Sequence, residues 1–72
     1  MRTQLSTVLD DGEKLVTADG RDWAVTMGGM LTAREWRPGS FIDVDGQDDP
    51  SVCVYRLTNL TTGVSVSAVQ LH

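Results

Sequence analysis

The chain has 72 residues, ten of them acidic and six basic, and its formal net charge of −4 disfavours a polyanionic partner such as nucleic acid. A single cysteine, Cys53, excludes an internal disulfide, and Cys53 and His72 supply too few ligands for a structural zinc site. No apolar run spans a membrane and no N-terminal signal pattern is present, so we expect one cytoplasmic domain over residues 1–72 without a cofactor.

The N-terminal third predicts a three-stranded meander. Residues 3–9 form a candidate strand, residues 10–13 form a turn, and two β-rich runs flank the Asp-Gly pair at 19–20. Asp-Gly between such runs is typical of a hairpin with a two-residue loop. With that loop Val16 faces Trp23 across the strands, and the core face carries both of them.

A short helical or 3-10 turn is predicted between Ala33 and Trp36. Thr32 and Glu35 have the spacing of a capping box, in which each side chain bonds a free amide at the start of a helix. Pro38 disfavours helical angles in the residue before it, so the turn cannot extend far. We expect Trp36 to close one end of the core.

Three more strands are predicted in the second half of the chain. Residues 37–40 fit a type II turn, and in the strand over residues 41–45 Ile42 and Val44 point inward while Phe41 points outward. Residues 46–50 form an exposed loop before a strand over residues 52–59.

The last predicted strand covers residues 64–71 and shows the clearest alternation of apolar and polar residues in the chain. At Ala68 and Val69 the apolar positions change parity, which indicates a bulge or a change of face.

Short strands separated by turn residues predict a small all-β domain. We expect a five- or six-stranded SH3-like or OB-like barrel, because closure encloses a core and removes most sheet edges. An open meander that dimerises through an edge strand is the alternative.

Three segments carry a family resemblance: DGRDW at residues 19–23, WRPGS at 36–40 and YRLTNLTTG at 55–63. Together they resemble small uncharacterised bacterial proteins with SH3-like β-barrels, which often have Asp where this chain has Ser40. The resemblance implies the barrel fold and a bacterial origin, and it brings no catalytic or binding residue with it.

Catalytic and metal-binding residues are not predicted. Cys53 lies between two valines of a strand, and His72 is the final residue. An acidic segment supplies the oxygen ligands that Ca²⁺ prefers, but its spacing does not match an EF-hand loop. Whether it binds a cation, binds a basic partner or is a solvated turn stays open; its members are Asp43, Asp45, Asp48 and Asp49.

Aromatic and basic residues lie close together in two parts of the sequence. Aromatic rings that stack on bases, next to arginines that hold phosphates, are typical of barrels that bind single strands. Against this, a domain with four Phe, Trp and Tyr residues needs its tryptophans in the core. The candidate binding residues are Arg34, Trp36, Arg37, Phe41, Tyr55 and Arg56.

We therefore expect a non-catalytic protein-interaction module, with self-association through outward apolar side chains such as Phe41 and Val69 as one form of it. One alternative is a barrel that binds single-stranded nucleic acid through Arg34, Trp36, Arg37, Tyr55 and Arg56. A second alternative is an acidic inhibitor or decoy of a basic partner.

Overall fold

The computed structural model describes residues 2–26, 28–46 and 54–71. Six strands account for most of these residues: β1 (Arg2–Leu9), β2 (Lys14–Thr17), β3 (Asp22–Val25), β4 (Phe41–Gly46), β5 (Val54–Asn59) and β6 (Val64–Leu71). A 3-10 turn (Asp10–Gly12) joins β1 to β2, and a helical turn, α1 (Met30–Ala33), lies between β3 and β4. Within the described residues, no helix combines the length and apolar character needed to cross a membrane.

The strands form a closed antiparallel barrel in the order β1-β2-β3-β6-β5-β4. Two three-stranded meanders, β1-β2-β3 and β4-β5-β6, are joined along two seams, where β1 pairs with β4 and β3 pairs with β6. This arrangement confirms the predicted small barrel, and the alternative of an open meander is wrong. Closure satisfies the backbone groups that an open sheet would leave unpaired at its edges.

The barrel interior holds the apolar side chains of all six strands together with both tryptophans. Trp23 on β3 is fully buried, and Trp36, after α1, is 5% exposed and lies in the same core, as predicted. Ile42 and Val44 point inward as the alternation predicts. The remaining buried apolar residues are Leu5, Leu15, Val25, Ala33, Leu57, Val66 and Ala68.

The hairpin between β2 and β3 has a three-residue loop, so the two-residue loop predicted from its Asp-Gly pair is wrong. The amide of Thr17 donates to the carbonyl of Arg21 at 3.0 Å, and Leu15 is opposite Trp23. Gly20 has a φ of 91°, which fits the third position of a three-residue hairpin loop. The extra loop residue changes the pairing of the two strands by one position.

This change of register makes the predicted core position of Val16 wrong. Side chains alternate along a strand, so a shift of one residue exchanges the two faces. Leu15 and Thr17 are buried in the core, while Val16 between them is half-buried. Trp23 is buried as predicted, and it faces Leu15 instead of Val16.

Strand β6 has the predicted bounds but no bulge at Ala68 and Val69. Its register with β3 and with β5 is continuous through both residues. Ala68 is buried and Val69 is half-buried on the opposite face, which is the ordinary alternation of a strand. The irregularity occurs instead in β1, where the register with β2 shifts between Leu5 and Thr7.

Helix α1 begins at Met30, earlier than the predicted capping box at Thr32 and Glu35. Gly29 is the N-cap residue, and no side chain caps this end of the helix. The amide of Glu35 donates to the backbone oxygen of Thr32 at 3.1 Å, so these two residues belong to the continuing turn. A further bond, from the Trp36 amide to the Ala33 carbonyl (3.0 Å), extends it into the predicted region.

The turn before β4 has the predicted type II character. The Ser40 amide donates to the Arg37 carbonyl at 3.1 Å, and Gly39 has a φ of 95°. The predicted strand over residues 52–59 is described from Val54 onward. The predictions for the 46–50 loop after Gly46, and for Cys53 and His72, lie outside the described residues.

Candidate functional site

An exposed leucine marks the candidate site. Leu31 on α1 is 69% exposed, the highest value among the large apolar side chains of the described residues. It lines an open depression of about 430 Å³ between α1 and the 3-10 turn that follows β1. We call this the α1 depression; its lining residues are Asp10, Asp11, Glu13, Met30, Leu31 and Arg34.

Close packing of Gly12 against α1 brings the two walls of the α1 depression together. A Cβ atom at Gly12 would collide with the carbonyl oxygen of Met30 and lie 2.6 Å from the amide nitrogen of Arg34. Glycine also adopts the φ of 93° found here without steric cost. Gly12 therefore lets the turn approach the backbone of the helix more closely than any other residue would.

The acidic wall of the α1 depression has an uncommon backbone conformation. Asp10 and Asp11 have φ values of 52° and 54°, in the left-handed region. Aspartate is among the residues that tolerate this region best, although it still costs on the order of 1 kcal/mol per residue. The amide of Glu13 donates to the Asp10 carbonyl at 3.1 Å and closes the turn.

The α1 depression carries more negative than positive charge. Three carboxylates, those of Asp10, Asp11 and Glu13, share its lining with one guanidinium, that of Arg34. Arg34 Nε also lies 3.8 Å from Glu35 Oε1, in an exposed pair that contributes little to stability. Among the described residues, no group of three or more acidic, His or Cys side chains is arranged to hold a metal ion.

A second exposed apolar area lies where β4 begins and β5 ends. Phe41 is 48% exposed and Leu60 is 43% exposed, and the Leu60 amide donates to the Phe41 carbonyl at 2.9 Å. The guanidinium carbon of Arg2 lies 5.6 Å from the centre of the Phe41 ring. The outward position of Phe41 is therefore confirmed, and the arginine covers part of its ring.

The structure does not assemble the aromatic and basic residues into one exposed platform. Trp36 is in the core, and Tyr55 is half-buried, with its ring in a T-shaped contact with Trp23 and the ring centres 5.3 Å apart. The arginines of the set are exposed: Arg34 lines the α1 depression, Arg37 follows Trp36, and Arg56 is opposite Asp45.

Two of the four residues in the acidic segment predicted from the sequence lie within the described residues. Asp43 and Asp45 are both on β4, where Asp43 is opposite Arg2 and Asp45 is opposite Arg56. Asp48 and Asp49 lie outside the described residues. On β4, each described carboxylate thus has an arginine as its cross-strand neighbour.

A side-chain network joins the loop of the β2–β3 hairpin to the barrel core. The indole N–H of Trp23 donates to the Thr17 hydroxyl at 3.1 Å, and that hydroxyl donates to Asp19 Oδ1 at 2.5 Å. Arg21 Nε donates to Asp19 Oδ2 at 2.7 Å, and its guanidinium carbon lies 4.9 Å from the centre of the Trp23 ring. The network holds the loop to the buried indole.

The pKa of Asp19 responds to this network. Burial by itself would raise the pKa of the Asp19 carboxyl, but hydrogen bonds from Thr17 and Arg21 and the positive charge of Arg21 outweigh it. The net effect is a pKa below the ordinary value of an aspartate. Asp19 is thereby held as the anion that Thr17 and Arg21 bind.

Apart from Arg34, which was a candidate binding residue, the residues of the α1 depression were missed as functional candidates at the sequence level. Residues 10–13 have the composition of an ordinary turn, and Met30 and Leu31 lie outside the strand pattern. Two apolar residues after a Gly-Gly pair, not needed for a strand, are the signal that could have indicated an exposed apolar turn.

No family model, no curated protein and no solved structure matches this chain. The resemblance to bacterial SH3-like barrel proteins therefore stays a prediction.

Proposed function

We propose that this domain is a non-catalytic protein-interaction module and that it binds its partner at the α1 depression. The observation that carries the proposal is the 69% exposure of Leu31 at the rim of a depression that is also lined by Met30. Exposed apolar side chains grouped with polar ones are typical of contact surfaces. The barrel interior is filled with apolar side chains, so its outer surface is where contacts form.

Leu31→Ser tests the proposal because an exposed side chain can be changed without opening a cavity in the core. The full chain is immobilised and extract of its native cells is passed over it, and the retained proteins are compared with those retained by the variant. We expect wild type to retain a specific partner and Leu31→Ser to lose it, because the apolar contact is gone.

Leu60→Ser is the matched control, since it removes an exposed leucine from the second apolar area. Retention by this control and not by Leu31→Ser would support binding at the α1 depression. Equal retention by both variants and by wild type would contradict it. Sedimentation equilibrium of the three proteins determines whether a second copy of the chain is the partner, because association would then also be lost in Leu31→Ser.

Binding of single-stranded nucleic acid has less support. The exposed arginines Arg34, Arg37 and Arg56 favour it, whereas the burial of Trp36 and the net charge of −4 oppose it. Titration with short single strands at low salt distinguishes the two functions. A salt-sensitive complex that persists in Leu31→Ser would favour nucleic acid over a protein partner.

A further inference from the structure

The carboxylates of the α1 depression are not paired with a basic side chain of the described residues. Within residues 2–26, 28–46 and 54–71, no ion pair joins Asp10, Asp11 or Glu13 to a basic side chain. The basic residue in the lining, Arg34, pairs with Glu35 instead. The negative charge of this wall is therefore available to a partner.

The same depression presents apolar surface beside that charge. Leu31 is largely exposed, and Met30 is half-buried, with one side of it packed against the core. An occupant that buries Leu31 must itself be apolar at that point. An occupant that meets the neighbouring wall without repulsion must be neutral or positive there.

The arrangement of the carboxylates favours an extended cationic partner over a small ion. They do not converge as ligands of a metal ion. They line the same depression as Leu31, so cations spaced along a chain, with an apolar side chain between them, match both its charge and its apolar surface. The net charge of −4 also favours encounter with a basic partner.

We propose that the α1 depression binds a basic segment of a partner protein, in which an aliphatic side chain lies between lysines or arginines. The aliphatic side chain packs on Leu31 and Met30, and the flanking cations lie against Asp10, Asp11 and Glu13. This assignment rests on the proposed function, because it names the chemistry of the partner that the α1 depression binds.

The test is an NMR titration of the full, isotope-labelled chain with short synthetic peptides. The probe peptide alternates leucine with lysine, and two control peptides alternate leucine with glutamate and serine with lysine. We expect the leucine–lysine peptide to shift amide resonances of residues 10–13 and 30–34. We expect at least about tenfold weaker binding of each control peptide, because one lacks the charge and the other lacks the apolar contact.

Variants of the lining residues separate charge from apolar contact. Asp11→Asn removes one carboxylate and keeps a residue type that tolerates a left-handed backbone. It should weaken binding of the leucine–lysine peptide by about two- to fivefold, because one charge contact is lost. Leu31→Ser should weaken it by about tenfold. Asp45→Asn and Leu60→Ser, which change the same residue types elsewhere on the barrel, should leave the affinity unchanged. Unaltered shifts of core residues show that each variant is folded.

Equal binding of the serine–lysine peptide, or shifts that centre on β4 and β5, would overturn the proposal. So would the absence of any shift with the leucine–lysine peptide. If Leu31→Ser still loses the partner retained from extract, the proposed function stands and only the basic character of the partner is refuted. If Leu31→Ser retains that partner as well, both proposals are refuted.

Discussion

At the residue scale, the hydroxyl group of Thr17 links the loop of the β2–β3 hairpin to the buried indole of Trp23. Thr17 is buried, and its oxygen accepts the indole N–H of Trp23 while its hydrogen is donated to Asp19. A buried indole N–H without an acceptor would cost about 1–3 kcal/mol. The three-residue loop brings Thr17 to the inner face where it meets this requirement, and a two-residue loop would bring Val16 there instead.

We expect the contribution of Asp19 to stability to depend on pH. Its pKa is lower in the folded protein than the ordinary value of about 3.9, so the anion stabilises the fold above that value. This contribution is lost as the pH falls through the folded pKa. Urea unfolding of wild type and Asp19→Asn should therefore show a difference in unfolding free energy at about pH 6 that shrinks by about pH 2.5.

Asp45→Asn is the control for this pH dependence, because Asp45 is exposed on β4 and lies outside the hairpin network. Its difference from wild type should change less between the two pH values. A difference between wild type and Asp19→Asn that stays constant with pH would contradict a role for the charged carboxylate.

At the element scale, α1 and the 3-10 turn depend on each other through Gly12. We expect Gly12→Ala to lower the free energy of unfolding by about 2–4 kcal/mol, because the new Cβ meets backbone atoms of Met30 and Arg34 that cannot rotate away. Urea unfolding measures this loss, and the amide resonances of residues 30–34 should shift because α1 must move.

Gly20→Ala is the matched control for the steric part of that effect. Gly20 has a φ of 91°, close to the 93° of Gly12, but a Cβ there would meet nothing within 4 Å. We expect it to cost only the left-handed strain of about 1–2 kcal/mol. Equal losses in the two variants would mean that the contact with α1 contributes nothing.

Most strands and the short helical turn could be predicted from the sequence, whereas the residue at which α1 begins could not. The strands follow from alternation, which placed Ile42 and Val44 inward. The helical turn was predicted from a local capping pattern, but packing against the barrel determines where it begins. A Cβ at Gly29, its N-cap residue, would lie 2.9 Å from Val25 Cγ1 and 3.2 Å from Val66 Cβ, so the chain passes close to the barrel wall there.

The α1 depression could not be predicted for a related reason. Its two walls are separated by 16 residues or more along the chain, and each has the composition of a simple connection. They meet because β2 and β3 return the chain to the end of the barrel where β1 finishes. Only the paired strands bring residues 10–13 next to residues 30–34, and no local pattern encodes that contact.

At the scale of the whole molecule, closure of the barrel depends on both seams between the meanders. One is the β1–β4 seam, where Thr3 is opposite Ile42. Beyond the strand pairs, the Leu5 amide donates to the Ser40 carbonyl at 2.8 Å, and the Gly39 amide donates to the Leu5 carbonyl at 2.7 Å. These bonds distinguish the closed barrel from a sheet that is open at this seam, because such a sheet would leave this side of β1 in water.

Hydrogen exchange at Leu5 therefore reports on closure at the β1–β4 seam. The Leu5 amide is bonded across the seam to Ser40, whereas the Ala18 amide is bonded to Gln4 of the same meander, also at 2.8 Å. In a closed barrel we expect both amides to exchange on the order of 100-fold or more slowly than in an unstructured chain. In an open meander Ala18 alone would be protected, so fast exchange at Leu5 beside slow exchange at Ala18 would show that the seam does not form in solution.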